Sequence, residues 1–543
     1  MSNARFRVPP AQNEPILDHA PGSRERRDLV AAMQRLSSAK LEIPLVIGGK
    51  EIRTGDLAQA TCPHRHAQVL AQFHQGSAEH VELAAKASKA AWHDWANMAW
   101  EDRAAIFLKA GELLAGPWRA TLNASTMLGQ SKNAFQAEID SACELIDFFR
   151  FNVQFMTELY EEQPISSRGT WNRVEQRALE GFVFAVTPFN FTSIAGNLPT
   201  APALMGNTVL WKPASTAIFS GWFIYKLLEE AGLPPGVINF VPGAGRTIGD
   251  PAFAHRDFAG VHFTGSTGVF NGMWATIGKN IANYRSYPRI VGETGGKDFI
   301  FAHPSADVDA LVVALLRGAF EYQGQKCSAA SRAYIPRSLW GTVRDRLAAE
   351  VKQIKVGPPD DFGNFMNAVI DQKAFREITG YIDYARSQPA NEILVGGESD
   401  SREGWFIQPT VIVTKDPTTR TMCEEIFGPV LTVFVYEDER IDEAIAACDT
   451  GSPYALTGAV FAQDRTAIAS LGASLRNAAG NFYINDKPTG AVVGQQPFGG
   501  SRASGTNDKA GSKQNLLRWV TTRTIKENFV PPKSWPYPFM AKE

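Results

Sequence analysis

The chain lacks the compositional features that mark several specialised classes of protein. Its 543 residues include 54 Lys and Arg and 56 Asp and Glu, so there is no basic excess for a nucleic-acid surface. Only five cysteines are present, at 62, 143, 327, 423 and 448, and their odd number and wide spacing favour neither a disulfide framework nor a metal site. We therefore expect no bound metal and a reducing compartment, and the length predicts two or three structural units.

A long apolar run is also lacking. Residues 181–211 carry no charge, but three prolines and three asparagines interrupt them, which predicts buried strands and loops instead of a membrane-spanning helix. The first 15 residues have neither the apolar core of a signal peptide nor the pattern of a transit peptide. We expect a cytoplasmic protein. The alternative is the mitochondrial matrix, as a mature chain without its presequence.

From residue 181 onward, short apolar strands alternate with helices. The predicted strands are FVFAV (182–186), VLW (209–211), VINFV (237–241) and GVHF (260–263). Ser215 or Thr216 is expected to cap a helix that Gly232 ends. This alternation predicts a parallel sheet with helices on both faces, and such a sheet binds ligands at the carboxyl ends of its strands.

A second α/β run is expected after Gly295. Its predicted elements are a helix at 307–322, a strand at 331–335 and a helix at 338–354. The polar stretch 166–179 and the β-branched stretch 516–529 are expected to form a protruding flap. An exposed flap would present open strand edges, so we expect another subunit to cover it.

Four short segments carry polar or reactive side chains near the predicted strands. They are TPFNF (187–191), FTGSTG (263–268), GETGGK (292–297) and GQKCS (324–328). Singly, each has an ordinary interpretation: a turn asparagine, a glycine-rich turn, a loop carboxylate and a small core cysteine. Together they are more specific. Cys327 lies in a small polar loop, Asn190 follows a strand at the ligand edge, and the GSTG turn opens a helix whose N-terminus can bind a pyrophosphate.

In this order and spacing, the four segments resemble the aldehyde dehydrogenase superfamily, and the resemblance covers nearly the whole chain. EEIFGP (424–429) and NFYIN (481–485) fit the same pattern. Within the superfamily, the chain is most similar to the 1-pyrroline-5-carboxylate dehydrogenase subfamily, also called L-glutamate gamma-semialdehyde dehydrogenase. The segments that carry this similarity are 137–152, 187–199, 320–329 and 489–508.

The resemblance implies covalent catalysis by a cysteine. The Cys327 thiolate would attack the aldehyde carbon, while the Asn190 amide and the Cys327 backbone N–H hold the oxyanion. A hydride would leave for a nicotinamide, and a thioester would remain. Glu293 would then activate the water that releases the acid.

The resemblance also implies NAD as the cofactor. It places Lys212 on the adenosine ribose, the 265–269 turn near the pyrophosphate, and Glu425 on the nicotinamide ribose. Ser215 stands where NAD-preferring relatives often have Glu, so NADP use is left open. The expected cofactor residues are Thr187, Pro188, Phe189, Lys212, Ser215, Gly265, Ser266, Thr267, Gly268, Val269, Glu425 and Phe427.

The subfamily implies L-glutamate 5-semialdehyde as the substrate, oxidised to L-glutamate in the second step of proline degradation. Phe191 and Phe498 would hold its methylene chain, and Glu144 its ammonium group. The expected substrate residues are Glu144, Phe191, Ser328, Gly490, Ala491 and Phe498, with the last loop and the serine hydroxyl serving the carboxylate. Two alternatives stay open: a dehydrogenase of another acidic semialdehyde, such as succinate semialdehyde, and a catalytically silent binding protein on the same fold.

The resemblance implies the fold as well. We expect an α/β protein with a Rossmann-like parallel-sheet NAD-binding domain, an α/β catalytic domain and a small β flap for oligomerisation. The expected boundaries are 1–165 and 181–294 for the NAD-binding domain with its N-terminal arm, 295–510 for the catalytic domain, and 166–180 with 511–543 for the flap and tail. We expect a homodimer or higher homo-oligomer, no nucleic-acid partner, no membrane span, and a separate proline dehydrogenase as the functional partner.

Overall fold

Two seven-stranded sheets, each flanked by helices, dominate the computed structural model, which describes residue 4 and residues 6–543. Residues 1–3 and 5, at the start of the predicted arm, lie outside the described residues. The helices of the described part are α1 (Arg24–Ser38), α2 (Ala78–Asn97), α3 (Trp100–Ala115), α4 (Arg119–Gln130), α5 (Ala134–Ala137), α6 (Leu145–Glu161), α7 (Thr192–Leu204), α8 (Ile218–Ala231), α9 (Gly245–Ala254), α10 (Thr267–Asn280), α11 (Val308–Phe320), α12 (Arg337–Val351), α13 (Gln372–Ser387), α14 (Arg420–Cys423), α15 (Ile441–Thr450), α16 (Arg465–Ser474) and α17 (Lys513–Leu517). The strands are β1 (Leu41–Ile43), β2 (Leu45–Ile47), β3 (Lys50–Ile52), β4 (Leu57–Cys62), β5 (Arg65–His74), β6 (Thr170–Ala178), β7 (Phe182–Val186), β8 (Thr208–Lys212), β9 (Ile238–Phe240), β10 (Phe258–Thr264), β11 (Arg289–Glu293), β12 (Asp298–Ala302), β13 (Ala330–Pro336), β14 (Asn391–Val395), β15 (Ser399–Asp400), β16 (Phe406–Ile407), β17 (Thr410–Thr414), β18 (Val430–Tyr436), β19 (Tyr454–Ala455), β20 (Thr457–Phe461), β21 (Asn481–Ile484), β22 (Ser501–Arg502) and β23 (Val520–Asn528).

The first sheet has the strand order β11-β10-β7-β8-β9-β2-β3, and its strands from β11 to β9 run parallel. The four strands predicted from the apolar segments are β7 to β10, which confirms them. Alternate residues of β7 pack on opposite faces. Phe182 and Phe184 join the core formed with α2, α9 and α10, whereas Val183 and Ala185 join the core formed with α3, α6 and α8. Burial on both faces explains why this strand is a continuous apolar run.

Helix α7 corrects one sequence prediction. It occupies part of the uncharged stretch that we expected to form only strands and loops, and Pro199 and Pro202 lie inside it. A proline removes one backbone N–H from a helix, and Pro202 leaves the carbonyl of Leu198 without its usual helical partner. That carbonyl instead accepts a hydrogen bond from Nδ1 of the buried His262 at 2.9 Å. The prediction was wrong because packing against β10 compensates for the missing bond.

No helix of the part of the chain that the structure describes combines the length and the apolar composition that a membrane crossing requires.

The predicted cap of α8 was also wrong. Ser215 begins a 3-10 turn, Ser215–Ala217, and the α-helix starts only after it. The carbonyl of Ser215 accepts the N–H of Ile218, so the backbone itself satisfies this early donor and no hydroxyl caps the helix. Gly232 ends the helix as predicted, in the left-handed conformation with φ 100°.

The second sheet has the order β14-β17-β18-β13-β12-β20-β21 and is parallel except for β14. The predicted run after Gly295 appears as α11, β13 and α12. Their apolar residues, among them Leu315, Ala333 and Leu347, pack into one core with β18 and β20.

Strands β6 and β23 form an antiparallel ribbon that pairs Thr170 with Asn528 at one end and Ala178 with Val520 at the other. The two segments predicted to form the flap therefore pair with each other. The role of this ribbon in assembly and the expected domain boundaries stay predictions.

Candidate active site

The sheet topology brings the predicted segments to one edge. Glu293 at the end of β11 is level with Thr264 at the end of β10, and Lys212 at the end of β8 is level with Val186 at the end of β7. The loops that continue from these four strands therefore leave the first sheet on the same side. This is the carboxyl edge at which parallel sheets bind their ligands.

Asn190 joins this edge to the Cys327 loop of the second sheet. Its Nδ2 donates a hydrogen bond to the carbonyl of Gln325 at 3.1 Å. An amide nitrogen carries two hydrogens, so this bond uses one of its two donors. Asn190 is buried next to the loop that holds the thiol.

A tight left-handed turn sets the position of Cys327. Tyr322, Gln323 and Gly324 follow α11 with φ of 51°, 54° and 66°. A Cβ on Gly324 would lie 2.2 Å from the carbonyl oxygen of Gly428, so the turn requires glycine there. The buried side chain of Gln323 holds the turn, because its Nε2 donates to two backbone carbonyls at 2.9 Å each.

The Cys327 thiol is buried among carboxyl groups. Burial raises its pKa well above the ordinary value, and the negative charges of Asp298, Glu425 and Glu293 raise it further. The thiolate is the nucleophilic form of cysteine. The activation of Cys327 therefore includes the loss of its proton.

Burial also sets the protonation of Glu293. Desolvation raises its pKa well above the usual range, and the hydrogen bond from the N–H of Gly500 to Oε2 at 3.3 Å only partly opposes this. A glycine at 499 makes room for the carboxyl group, since a Cβ there would lie 3.0 Å from Oε1. A carboxyl group with a raised pKa is suited to proton transfer near neutral pH.

One cavity of about 400 Å³ contains both of these reactive side chains. Cys327 and Glu293 line it together with every residue predicted to bind substrate, namely Glu144, Phe191, Ser328, Gly490, Ala491 and Phe498. The structure thus brings these residues together around one space, and their roles stay predictions.

Glu144 ends a π-helical turn, Glu138–Glu144, and its Oε2 accepts a hydrogen bond from Ser193 Oγ at 2.7 Å. Burial raises the pKa of Glu144 to about 8, and the charge of Asp140 adds to the shift. A cation bound next to Glu144 would favour its ionised form. An ammonium group bound in the cavity would therefore lower the pKa of this carboxyl group.

The predicted carboxylate end of the cavity contains hydroxyl and backbone donors. Ser328 Oγ lies 2.8 Å from Thr489 Oγ1, so one hydroxyl donates to the other and a second hydroxyl hydrogen stays available. Gly490 follows with φ 92°, a conformation that suits glycine. Lys326 lines the same cavity and pairs with Glu321 at 3.0 Å.

Sequence reasoning missed a buried ion pair beside the cavity. Lys132 Nζ lies 2.6 Å from Asp140 Oδ2, and 4.5 Å and 4.3 Å from the ring centroids of Phe191 and Tyr322. Asp140 also accepts the N–H of Thr192 at 3.0 Å, at the start of α7. The only sequence signal was a lysine ahead of an acidic helix, which is too common to identify a site.

The residues predicted for the pyrophosphate follow β10 directly. Ser266 is the N-cap of α10, so Thr267, Gly268 and Val269 form the first turn of a 14-residue helix at the sheet edge. Gly265 fits closely, because a Cβ there would lie 2.6 Å from the ring of Phe263. The unpaired N–H groups of such a helix end attract anions.

Lys212, predicted for the adenosine ribose, ends β8, and the predicted cofactor residues Thr187 and Ser215 lie just beyond the ends of β7 and β8. Lys212 is buried, and its Nζ donates to the carbonyl of Pro213 at 3.1 Å. Burial lowers the pKa of Lys212 to about 8. Thr187, which precedes Pro188, accepts a hydrogen bond from Trp211 Nε1 at 3.0 Å. Ser215, described above, lies three residues after Lys212.

Glu425, predicted for the nicotinamide ribose, and the predicted cofactor residue Phe427 connect the two sheets. Glu425 Oε1 accepts the N–H of Gly296 at 3.1 Å, and a Cβ on Gly295 would overlap Oε2 at 1.8 Å. Burial raises the pKa of Glu425 to about 7. Phe427 contacts Phe189 edge to face, with ring centroids 5.8 Å apart.

The chain is similar to proteins of known family and structure. The aldehyde dehydrogenase family matches residues 53–525. The mitochondrial delta-1-pyrroline-5-carboxylate dehydrogenase of Dictyostelium discoideum is 56% identical over 540 residues, which cover 99% of this chain and 97% of the relative. The protein of the same name from Mus musculus is 50% identical over 529 residues, which cover 97% and 94%. The crystal structure of delta-pyrroline-5-carboxylate dehydrogenase from Mycobacterium tuberculosis has a TM-score of 0.97 and 52% identity over 100% of both chains, and it has also been solved bound with NAD. This chain belongs to the aldehyde dehydrogenase family.

Proposed function

We propose that the chain oxidises L-glutamate 5-semialdehyde to L-glutamate and reduces NAD. The observation that carries the proposal is the single cavity that Cys327 and Glu293 share with Ser328 and Glu144. A nucleophile and a base are combined there with groups that match an α-carboxylate and an α-ammonium. The names of the relatives support the proposal, since they refer to 1-pyrroline-5-carboxylate.

In the proposed reaction, the Cys327 thiol gives its proton to water, Sγ bonds to the aldehyde carbon, and the electron pair of the C=O π bond moves to the oxygen, which takes the negative charge. The Asn190 amide and the Cys327 backbone N–H donate hydrogen bonds to this oxygen. NAD, when bound, would supply the hydride acceptor, while the Cys327 thiol is kept neutral mainly by its burial and further by the nearby carboxyl groups. When the oxyanion returns to a carbonyl, the C–H bond of the former aldehyde carbon breaks, its hydride would leave for the cofactor, and a thioester remains on Cys327.

Hydrolysis of the thioester is assigned to Glu293. Its carboxylate takes a proton from water, the water oxygen bonds to the acyl carbon, and the C–S bond breaks. Glutamate leaves, and Glu293 passes the proton to the Cys327 thiolate. The raised pKa of Glu293 makes it a stronger base than an ordinary carboxylate once it is ionised.

The residues at the edge of the first sheet fit NAD by their chemistry. The N-terminus of α10 offers N–H donors for the pyrophosphate, and Lys212 offers a donor for the adenosine ribose. Glu425 offers an acceptor for the hydroxyls of the nicotinamide ribose. Ser215 carries no charge that would repel a 2′-phosphate, so NADP has to be tested alongside NAD.

A panel of aldehydes tests the proposal. The formation of reduced cofactor is measured with glutamate semialdehyde, succinate semialdehyde and pentanal, each with NAD and with NADP. We expect glutamate semialdehyde to have the highest kcat/KM, because pentanal leaves the far-end donors unpaired. A preference for succinate semialdehyde would favour the second candidate substrate. No reduced cofactor with any aldehyde would overturn the proposal.

The far end of the cavity is tested separately with Ser328→Ala. We expect it to reduce the preference for glutamate semialdehyde over pentanal by about 1–3 kcal/mol, the range for a lost hydrogen bond to a charged group. An unchanged preference would remove Ser328 from the carboxylate site.

We also propose roles for the larger parts of the molecule. The first sheet with its helices binds NAD, the second carries the nucleophile, and the β6–β23 ribbon joins subunits. A separate proline dehydrogenase would supply the substrate. All five cysteines are free thiols, and the nucleophile must stay reduced, which fits the cytoplasm or the mitochondrial matrix.

A further inference from the structure

The irregular segment 11–19 ahead of α1 forms part of the wall of the substrate cavity. Asn13, Glu14 and Ile16 line the cavity together with Cys327. Nothing in the sequence of this segment indicated a role in the site, because the residues are ordinary for an irregular terminal segment. Its place in the cavity wall follows from tertiary contacts alone.

Buried charges hold this segment against the helices. Glu14 pairs with Arg119 and also with Arg150, at 2.7 Å to the latter. The N–H of Leu17 donates to Oε1 of Glu138 at 3.0 Å, and Glu138 in turn pairs with Arg119. The segment is therefore a fixed part of the site.

Asn13 makes three hydrogen bonds that cross from this segment to two other elements. Its Nδ2 donates to Asp147 Oδ2 on α6 at 2.8 Å and to the carbonyl of Val493 at 2.8 Å. Its Oδ1 accepts from Gln495 Nε2 at 2.9 Å. Val493 and Gln495 belong to the loop that carries Gly490, which lines the predicted carboxylate end of the cavity.

The hydrogen bonds of Asn13 connect the loop between Gly490 and Gly494 to an element outside it. Both glycines have positive φ, 92° and 82°. Because glycine has no Cβ, it restricts the backbone conformation less than other residues do at these two positions. The bonds made by the N–H groups of Val492 and Gln496 stay within the loop itself. Asn13 connects the middle of the loop to α6, which is a rigid support.

We propose that Asn13 is a specificity-determining positioning residue that holds the 490–495 loop in the shape that binds the α-carboxylate of the substrate. This inference rests on the proposed function, since it assigns the loop to that carboxylate. Asn13 acts through the loop, and it affects the binding of amino-acid aldehydes without affecting the chemistry at Cys327.

The test compares KM and kcat for two substrates in variants of the full-length enzyme. Glutamate semialdehyde reaches the loop, whereas propanal is too short to reach it from Cys327. We expect Asn13→Ala to raise KM for glutamate semialdehyde about tenfold, with kcat within twofold of the parent. Both constants for propanal should be unchanged. Asn13→Asp keeps the size but loses the amide donors and places a carboxylate against Asp147, so it should raise KM at least as much.

Two further variants keep the test independent of folding. Gln495 is exposed, and Gln495→Ala removes one of the three bonds, so it should raise KM by a smaller factor. Gln154→Ala is the matched control. Gln154 Oε1 accepts the N–H of Ala11 and its Nε2 donates to Glu158, so within the described residues these hydrogen bonds fix the same segment and do not involve the loop. It should behave as the parent.

Three results would overturn the proposal: a parent-like KM in Asn13→Ala, an equal rise in KM for propanal, or the same rise in Gln154→Ala. The failure of the proposed function is distinguishable from these, because it would appear in the parent enzyme. In that case the parent would have no preference for glutamate semialdehyde over propanal.

Discussion

Cys327 is the residue on which the proposed chemistry depends. Cys327→Ala should lower the rate of NADH formation about 1,000-fold or more, because no thioester can form. NAD binding should persist, since Lys212, Glu425 and the first turn of α10 are elsewhere in the chain. Calorimetric titration with NAD and an activity assay measure the two effects.

Cys448→Ala is the matched control for that variant. Cys448 is fully buried in α15 and packs in the core of the second sheet. Its loss should leave the activity close to the parent value. If Cys327→Ala retained near-parent activity while NAD bound normally, the covalent mechanism would be wrong.

Glu293→Gln should slow the release of the acid more than the formation of the thioester. Glutamine preserves the shape of the side chain but cannot take a proton from water. Rapid mixing of enzyme, NAD and aldehyde should therefore show a burst of NADH followed by a slow steady state. Equal slowing of both phases would place Glu293 before hydride transfer.

The pH dependence gives a second check on Glu293. Desolvation raises its pKa well above the ordinary range, so the base is lost to protonation at pH values where a normal carboxyl group is still ionised. The steady-state rate of the parent should rise as pH increases through this raised pKa. Glu293→Gln should lose that rise, and a variant that kept it would show that another group, such as the Cys327 thiol, causes the rise.

At the scale of secondary-structure elements, Asp140 holds the π-helical turn against the start of α7. It accepts the N–H groups of Thr192 and Ser193 at 3.0 Å each and pairs with the fully buried Lys132. Asp140→Ala should lower the free energy of unfolding by about 3–5 kcal/mol, because it leaves an unpaired buried cation. Chemical denaturation of the apo protein measures this loss.

A double variant separates two contributions of Asp140 to stability: its ion pair with Lys132 and its hydrogen bonds to the N–H groups at the start of α7. Lys132→Met with Asp140→Ala should lose less stability than Asp140→Ala alone, because no unpaired charge remains. The exposed pair of Arg346 and Asp309 is the control, and Asp309→Ala should change stability by about 1 kcal/mol or less. If the double variant lost as much free energy of unfolding as the two single variants together, the unpaired charge would not explain the effect of Asp140→Ala.

Elements with a strong local pattern were predictable, and elements that depend on distant partners were not. The strands β7 to β10 and the helix end at Gly232 follow from apolar runs and turn residues. Helix α7 was missed, because Pro202 argues against a helix unless His262 from another strand bonds to the free carbonyl. The cap of α8 was misplaced, because a 3-10 turn satisfies its donors instead of a hydroxyl group.

At the scale of the whole molecule, the β6–β23 ribbon and the C-terminal tail favour self-association. Within the described residues, the two strands pair only with each other, so each presents an open edge. Trp535 and Phe539 in the tail are 81% and 84% exposed, which is unusual for large apolar side chains. Sedimentation velocity at micromolar concentration should therefore show at least a dimer. A stable monomer would contradict this prediction.

Charged substitutions in the tail test whether its exposed apolar side chains take part in self-association. Trp535→Asp combined with Phe539→Asp should shift the protein towards smaller species, because it places charges on the exposed apolar side chains. Lys533→Asp changes the charge of the same segment without removing an apolar side chain, so it should leave the assembly unchanged. An equal shift in both variants would show that the change in charge, and not the loss of the apolar side chains, causes the smaller species.

The sequence by itself determined the family of the chain and predicted the chemistry of the site. Cys327, Glu293 and Asn190 lie in short segments whose residue types and order are specific enough to identify the family before any contact is known. Only the tertiary structure decided how the far end of the cavity is built. The tie from Asn13 to Val493 joins two segments that have no local pattern, and the two residues are 480 positions apart. Periodicity and turn chemistry act over a few residues, so a contact across that separation becomes visible only when the folded chain brings both residues together.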